Sequence, residues 1–449
     1  MSTSEQSPLL NGQWRQPPSF YQKTLAFLKA EGEPSWLDSY RWFFFGSWLN
    51  VLLLLVPVAA AAHYLNWDAP LRFGFSFVAI IPLARLLGDA TEQMSLSLGQ
   101  TLAGLLNATF GNAVEIIVGT VALFKGEVRI VQTSMLGSIL SNILLVLGCS
   151  FLAGGIFRPE SEFSVTAAQT NASLMTLACI TLVIPAAYHA SKHVTSPIKG
   201  DVVATMSSGS HTDPDEGGQR GLLIISRGTA ILLLGVYMTY IVFQLKTHAS
   251  LFNPPVRRPR DGAADGSAEE VEEEETPRMS IVAAGSTLLI VTIATSTVAD
   301  FLVASIEETA NRFNIPKAFI GLMLLPIVAN AGELVTSVCM AMKDKMELAI
   351  GVCVGSSIQV ATFVVPLLVV IGWCSGHDLT LFFDDFETVA FFVSVLLVSL
   401  LLQDGKSNYM EGLMLITLYL VIGMACPALP RLYTRLLGRN LAFSGCLCT

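Results

Sequence analysis

Two glutamates, each set in a run of apolar residues long enough to lie inside a bilayer, constrain this chain more than any other feature. The first lies in Gly111-Asn112-Ala113-Val114-Glu115-Ile116-Ile117-Val118-Gly119, and the second in Ala329-Asn330-Ala331-Gly332-Glu333-Leu334-Val335-Thr336-Ser337. An ionised side chain at mid-membrane costs about 2.5–3.5 kcal/mol even on the mildest scale, so such a residue is by default a functional site with a partner. The partner of each glutamate is the other. The two stretches are separated by 329 − 111 = 218 positions, and this offset carries Asn112 onto Asn330 and Glu115 onto Glu333. It also carries Leu136-Gly137-Ser138 onto Val354-Gly355-Ser356, Ser141 onto Gln359 and Asp89 onto Glu307. On a helix, residues three apart share a face, so each asparagine stands beside its glutamate.

A duplicated motif with polar groups at mid-span is the sequence trace of an internal repeat, the plan on which many secondary transporters are built. The rest of the chain agrees with a bilayer as solvent. Of its 449 residues 52% are hydrophobic and only 14% charged. At about 20 apolar residues per spanning helix, about 11 runs qualify. The expected fold is an all-α integral membrane protein with one leading span and two repeats of five. Because five is odd, the repeats must insert in opposite orientations. The expected boundaries are an N-terminal tail at 1–41, a first span at 42–70, repeat 1 at 71–245, a linker at 246–278, repeat 2 at 279–428 and a C-terminal tail at 429–449. A polar stretch from Asp89 to Gly99 reads either as an amphipathic extension of the second span or as a short surface helix.

The linker holds Arg257, Arg258 and Arg260, then Glu269, Glu270, Glu272, Glu273, Glu274 and Glu275. Runs of like charge of this kind are solvated segments. They account for much of the net charge of −9, so that charge does not point to nucleic acid, and no basic stripe is present for one. The cysteines have no metal-type spacing. Neither a Ser/His/Asp constellation nor a His-Glu-X-X-His helix is visible, so an enzyme is not expected.

Two carboxylates from facing helices, each with an amide nearby, offer an oxygen cage. Glu115, Glu333, Asn112 and Asn330 form its expected core, with Ser138, Ser356, backbone carbonyls and water completing the six to eight oxygens that calcium takes. No sulfur or imidazole lies near either motif, which disfavours zinc or copper and leaves calcium, manganese or sodium. Two carboxylates desolvated side by side cannot both stay ionised without a cation. Protons and a metal ion would therefore compete for the same oxygens, and that competition is the coupling step of an antiporter.

The first motif, together with Leu105-Leu106-Asn107-Ala108-Thr109-Phe110, Gly137-Ser138-Ile139-Leu140-Ser141-Asn142 and Gly355-Ser356-Ser357-Ile358-Gln359, resembles the vacuolar calcium/proton exchangers of fungi and plants. These belong to the wider calcium/cation antiporter superfamily. The resemblance runs from about Leu83 to the last span. It implies an eleven-helix fold whose first and sixth helices move as gates against a core holding the motif helices. It further implies that Glu115 and Glu333 are shared ligands for calcium and protons, with Asn112 and Asn330 beside them, and that the acidic linker gathers cations or regulates on the cytosolic side. Calcium and protons would be substrates, with no cofactor, in a multi-pass vacuolar membrane protein whose N-terminus is cytosolic. An exchanger of the same fold driven by manganese or a monovalent cation is the alternative. The chain departs from the family pattern at Ala329, where glycine is usual, and at Leu334, where a histidine usually follows the glutamate.

The tail contains Glu5-Gln6-Ser7-Pro8-Leu9-Leu10, which resembles an acidic dileucine signal read by cytosolic sorting adaptors. If Glu5, Leu9 and Leu10 form that signal, replacing both leucines by alanine moves a fluorescent fusion off the vacuolar membrane; an unchanged vacuolar pattern removes the reading.

Overall fold

The structure, a computed structural model, describes residues 34–98, 100–194, 214–248 and 277–426. Glu5, Leu9 and Leu10 and the charged linker lie outside the described residues. What is described is almost entirely helical, as expected for a chain in which every backbone polar group within lipid must be bonded internally. By length and hydropathy six helices are able to cross a membrane, and eight if two bent pairs each count as one span. Two shorter apolar helices, Ala113–Phe124 and Tyr409–Ala425, accompany them.

Helix α1 (Trp36–Phe45) starts at Ser35, whose hydroxyl accepts from the Asp38 N–H at 3.3 Å. It begins inside the expected tail and turns 87° before the first span. The turn has a local cause: Ser47 is extended, and its hydroxyl accepts from Leu49 N–H, starting a new 3₁₀ segment (Trp48–Leu54) that runs into α2 (Leu55–Tyr64). Helix α3 (Ala69–Leu98) is continuous, so the polar stretch after Leu87 is an extension of the second span and not a separate surface helix.

The first motif span is broken into α4 (Gln100–Phe110) and α5 (Ala113–Phe124). The next span joins α6 (Val128–Leu140) to α7 (Leu147–Phe157) through a π-helical turn, Ser141–Val146. Helices α8 (Val165–Val194) and α9 (Pro214–Val242) complete the first half, with a π turn at Phe243–Thr247. The second half opens with α10 (Ile281–Phe313). Its motif span comprises α11 (Lys317–Phe319), a π turn (Ile320–Leu324), α12 (Leu325–Ala329) and α13 (Ala331–Met342), with a 55° bend at the break. Helix α14 (Met346–Gln359), a π turn (Val360–Val364) and α15 (Val365–Ser375) form the following span, and α16 (Asp385–Leu401) and α17 (Tyr409–Ala425) end the described chain. Two short segments, β1 (Ser161–Glu162) and β2 (Lys406–Ser407), pair antiparallel between the halves.

Burial separates centre from periphery. In the most apolar windows of Val128–Phe157 and Met346–Ser375, 72% and 67% of residues are buried within the protein, against 28% for Arg220–Thr247. The former two, which the offset relates to each other, are therefore the middle of the bundle, and the last faces lipid. Their π turns also correspond, since 360 − 218 = 142 falls within Ser141–Val146. Such turns widen a helix and free backbone groups, commonly at functional positions.

Close approach at the centre depends on absent side chains. A Cβ on Gly137 would run into the Leu322 carbonyl oxygen and the Pro326 ring, and one on Gly321 would strike the Thr133 side chain. At Gly137 the nearest obstacle is backbone, which no rotamer change can move. Gly137→Ala is expected to cost about 1–3 kcal/mol through overpacking, seen as a lowered thermal unfolding midpoint in detergent.

Candidate functional site

Each motif asparagine stands at a helix break, Asn112 before α5 and Asn330 before α13. The glutamate three residues on is thereby placed in the first turn of a half-helix, Glu115 in one and Glu333 in the other. There the unpaired N–H groups and the positive end of the helix dipole favour negative charge. Asparagine at such a position ordinarily caps its own helix. Here neither side chain does so; both reach across to the other repeat.

Ser138 Oγ lies 3.3 Å from Glu115 Oε1 and 3.1 Å from Asn330 Oδ1, while Asn330 Nδ2 donates to the Ser138 carbonyl at 3.2 Å. In the other repeat, Ser356 Oγ lies 2.7 Å from Glu333 Oε1 and 3.1 Å from Asn112 Oδ1. Each serine thus joins the glutamate of its own repeat to the asparagine of the other. All six residues expected at the site are brought together, and Asn112, Asn330 and Ser138 are each only 1% exposed.

Two further residues belong to the cluster. Asn112 Nδ2 donates to Gln359 Oε1 at 2.6 Å, and Asn142 Nδ2 donates to Ser356 Oγ at 3.0 Å. The sequence contains a hint of Gln359, because it stands at the offset position of Ser141; it contains none for Asn142, whose counterpart is Val360. Asn142 lies within one π turn and Gln359 immediately precedes the other. The break also accounts for Ala329. Gly111 lies in the turn itself, where a Cβ would press on the Asn107 carbonyl, whereas Ala329 is still within α12 and has room for its methyl.

The proton count of the cluster is informative. A hydroxyl has one proton to donate and can accept twice. Ser356 accepts from Asn142 and faces two more oxygens, on Glu333 and Asn112. With the amides oriented as they stand, all three contacts are satisfied when Glu333 carries a proton and donates it to Ser356, leaving the serine to donate to Asn112. Ser138 faces the same choice between Glu115 and Asn330. A cation held between the carboxylates would do the same work by supplying positive charge. Glu333 Oε2 and Asn142 Oδ1 are buried without a hydrogen-bond partner, as oxygens open to a hard cation would be. Among the described residues no three His, Cys, Asp or Glu side chains converge on a metal geometry.

Access is one-sided. A cavity of about 780 Å³ runs from the Asp344–Leu348 turn and Glu162 down to Glu333, Ser356 and Gln359. Glu115 instead borders a small pocket of about 20 Å³ lined by, among others, Ile80, Val118, Met135, Leu302 and Leu325. Glu115 is 5% exposed, while Glu333 is half-buried at the floor of the vestibule.

The comparisons agree with this geometry. Residues 69–246 and 284–425 match the family model described as sodium/calcium exchanger protein. The chain is similar to a vacuolar calcium ion transporter of Schizosaccharomyces pombe, 43% identical over 381 residues that cover 84% of each chain. It is also similar to vacuolar cation/proton exchanger 2 of Oryza sativa subsp. japonica, 41% identical over 377 residues, 83% of this chain and 80% of that one. The solved structure of native YfkE superposes with a TM-score of 0.64 at 30% identity, covering 84% of this chain and 98% of that one. With all but the ends and the central linker of the chain matched, this protein belongs to the sodium/calcium exchanger family of membrane transporters.

Proposed function

We propose that the protein exchanges calcium for protons and loads the vacuole with cytosolic calcium, the two ions taking turns at one site between Glu115 and Glu333. The observation that carries the reading is the pair of crossed serine bridges, which bring both buried glutamates and both asparagines to one cluster where protons on the glutamates or a cation between them would offset the buried charge. The names of the relatives, a vacuolar calcium ion transporter and a vacuolar cation/proton exchanger, supply calcium, protons and the vacuole. The other oxygens of the cage would be Asn112, Asn330, Ser138 and Ser356. No chemical step on a substrate is needed, only competition and a change of access.

In this reading the chain crosses the membrane eleven times, each broken motif helix counting as one span, with the repeats at 71–245 and 279–428 in opposite orientation and the linker at 246–278 between them. The vestibule then faces the same side as the N-terminus and the linker: α1 packs on the start of α10 through the Ser280 N–H, which donates to Ser39 at 3.3 Å, and the far end of α10 lies on the closed face. With a cytosolic N-terminus, this conformation is open to the cytosol. Calcium enters from neutral solution, displaces the protons and is released when the site opens to the acidic lumen.

Glu115→Gln and Glu333→Gln mimic the protonated state in shape and in hydrogen bonding, so each variant should fold and reach the membrane. Each lacks the charge that calcium needs and the proton that coupling needs. Either change alone is expected to abolish calcium uptake into vesicles under an imposed pH gradient, and in the parent a protonophore should do the same. Apparent calcium affinity should fall as the pH on the vestibule side is lowered, because protons and calcium compete. A single variant with near-parental, proton-driven uptake would sink the shared-site mechanism; uptake driven by manganese or a monovalent gradient instead would favour the alternative exchanger.

A further inference from the structure

The charged side chains on the face opposite the vestibule sort by the elements they join. Lys125 Nζ lies 2.7 Å from Asp300 Oδ1 and donates also to the Asp300 main-chain carbonyl at 2.7 Å. Lys317 Nζ is shared between Glu127 Oε1 at 2.9 Å and Glu307 Oε1 at 3.2 Å. Lys125 and Glu127 flank Gly126 in the turn after α5, which holds Glu115, and Lys317 begins the span that leads to Glu333. Asp300 and Glu307 are on α10, which supplies no residue to the crossed bridges and packs most extensively along α3 and to a lesser extent against α5. Leu302 of α10 and Ile80 of α3 line the small pocket beside Glu115. These two contacts therefore tie the α3–α10 pair to the core that carries the site.

The other ion pairs on this face do not cross that boundary. Arg72–Glu308 joins α3 to α10, and Arg312 pairs with Asp68 at the start of α3. Arg129 pairs with Asp384 and Glu387, which holds α6 to the start of α16.

The repeat does not duplicate these pairs: the 218-residue offset carries Asp300 onto Pro82 and Lys317 onto Gly99, so the other repeat has no such pair of charges at the matching positions.

We propose that Lys125–Asp300 and Lys317–Glu307 form a latch that holds the α3–α10 pair shut on the closed face. These are positioning residues for exchange, acting on access and not on the ion. The proposal rests on the alternating-access reading.

The test uses the full-length protein in vesicles, freed of its native cysteines and carrying Ala167→Cys on the vestibule wall. Labelling by a membrane-impermeant maleimide from that side reports how often the vestibule is open. Partly exposed ion pairs are individually weak, so Lys125→Asp or Asp300→Lys should lower the labelling rate about two- to fivefold and slow uptake. The exchange Lys125→Asp/Asp300→Lys should restore both. Arg312→Gln, which breaks a pair that does not cross the boundary, should leave labelling at the parental rate. Should Lys125→Asp fail to fold, Asp300→Asn makes the same comparison. Parental labelling in the single reversals, no recovery in the exchange, or an equal effect of Arg312→Gln overturns the latch. If labelling of the parent itself ignores calcium and pH, the alternating-access reading fails; if the parent responds and the reversals do not, the latch alone fails.

Discussion

Two carboxylates removed from water must find either protons or a cation, and the rest of this structure follows from meeting that demand. Neither repeat meets it alone. Glu115 touches Ser138, but Ser138 is held by Asn330 from the other half; Glu333 touches Ser356, which faces Asn112 in return. The two halves are therefore joined at their most polar point. Burying such groups unpaired would cost several kcal/mol apiece, so the crossed bridges are a fold determinant in their own right.

That requirement explains the irregular helices. A continuous helix at Asn112 would bond its own backbone and leave no free N–H groups for Glu115, whereas a break exposes the first turn of α5 to the carboxylate. Asn142, within the π turn Ser141–Val146, and Gln359, just before the π turn Val360–Val364, join the same cluster. Irregular backbone at membrane depth is tolerated because it is enclosed by protein or lines a cavity. Glycine at 137 and 321 then lets the neighbouring helices close around it.

The two-fold plan is kept in the ligands and broken in access. Glu333 borders an open cavity of about 780 Å³ and Glu115 a small pocket of about 20 Å³. A transporter with an inverted repeat needs both conditions at once, since equal access on both sides would be a leak. Apolar side chains of Ile80, Leu302 and Leu325 line the small pocket beside Glu115.

Much of this was legible in the sequence because an internal repeat is a comparison carried within one chain. The 218-residue offset identified Glu115, Glu333, Asn112, Asn330, Ser138 and Ser356, and apolar periodicity over long runs made the all-helical membrane fold plain. Helix identity in a bilayer is a local property of composition. Who contacts whom across the halves is not, and only the tertiary structure decided that each serine serves its own glutamate and the other repeat's asparagine. Asn142 was invisible as a site residue because its counterpart is Val360 and the repeat gave no signal. The 87° turn after α1 depends on an extended Ser47 whose hydroxyl caps the next segment, a choice hydropathy does not register. Which face is open is also beyond sequence: the same residues must build both states, so the difference between them lies in packing and in which charges meet.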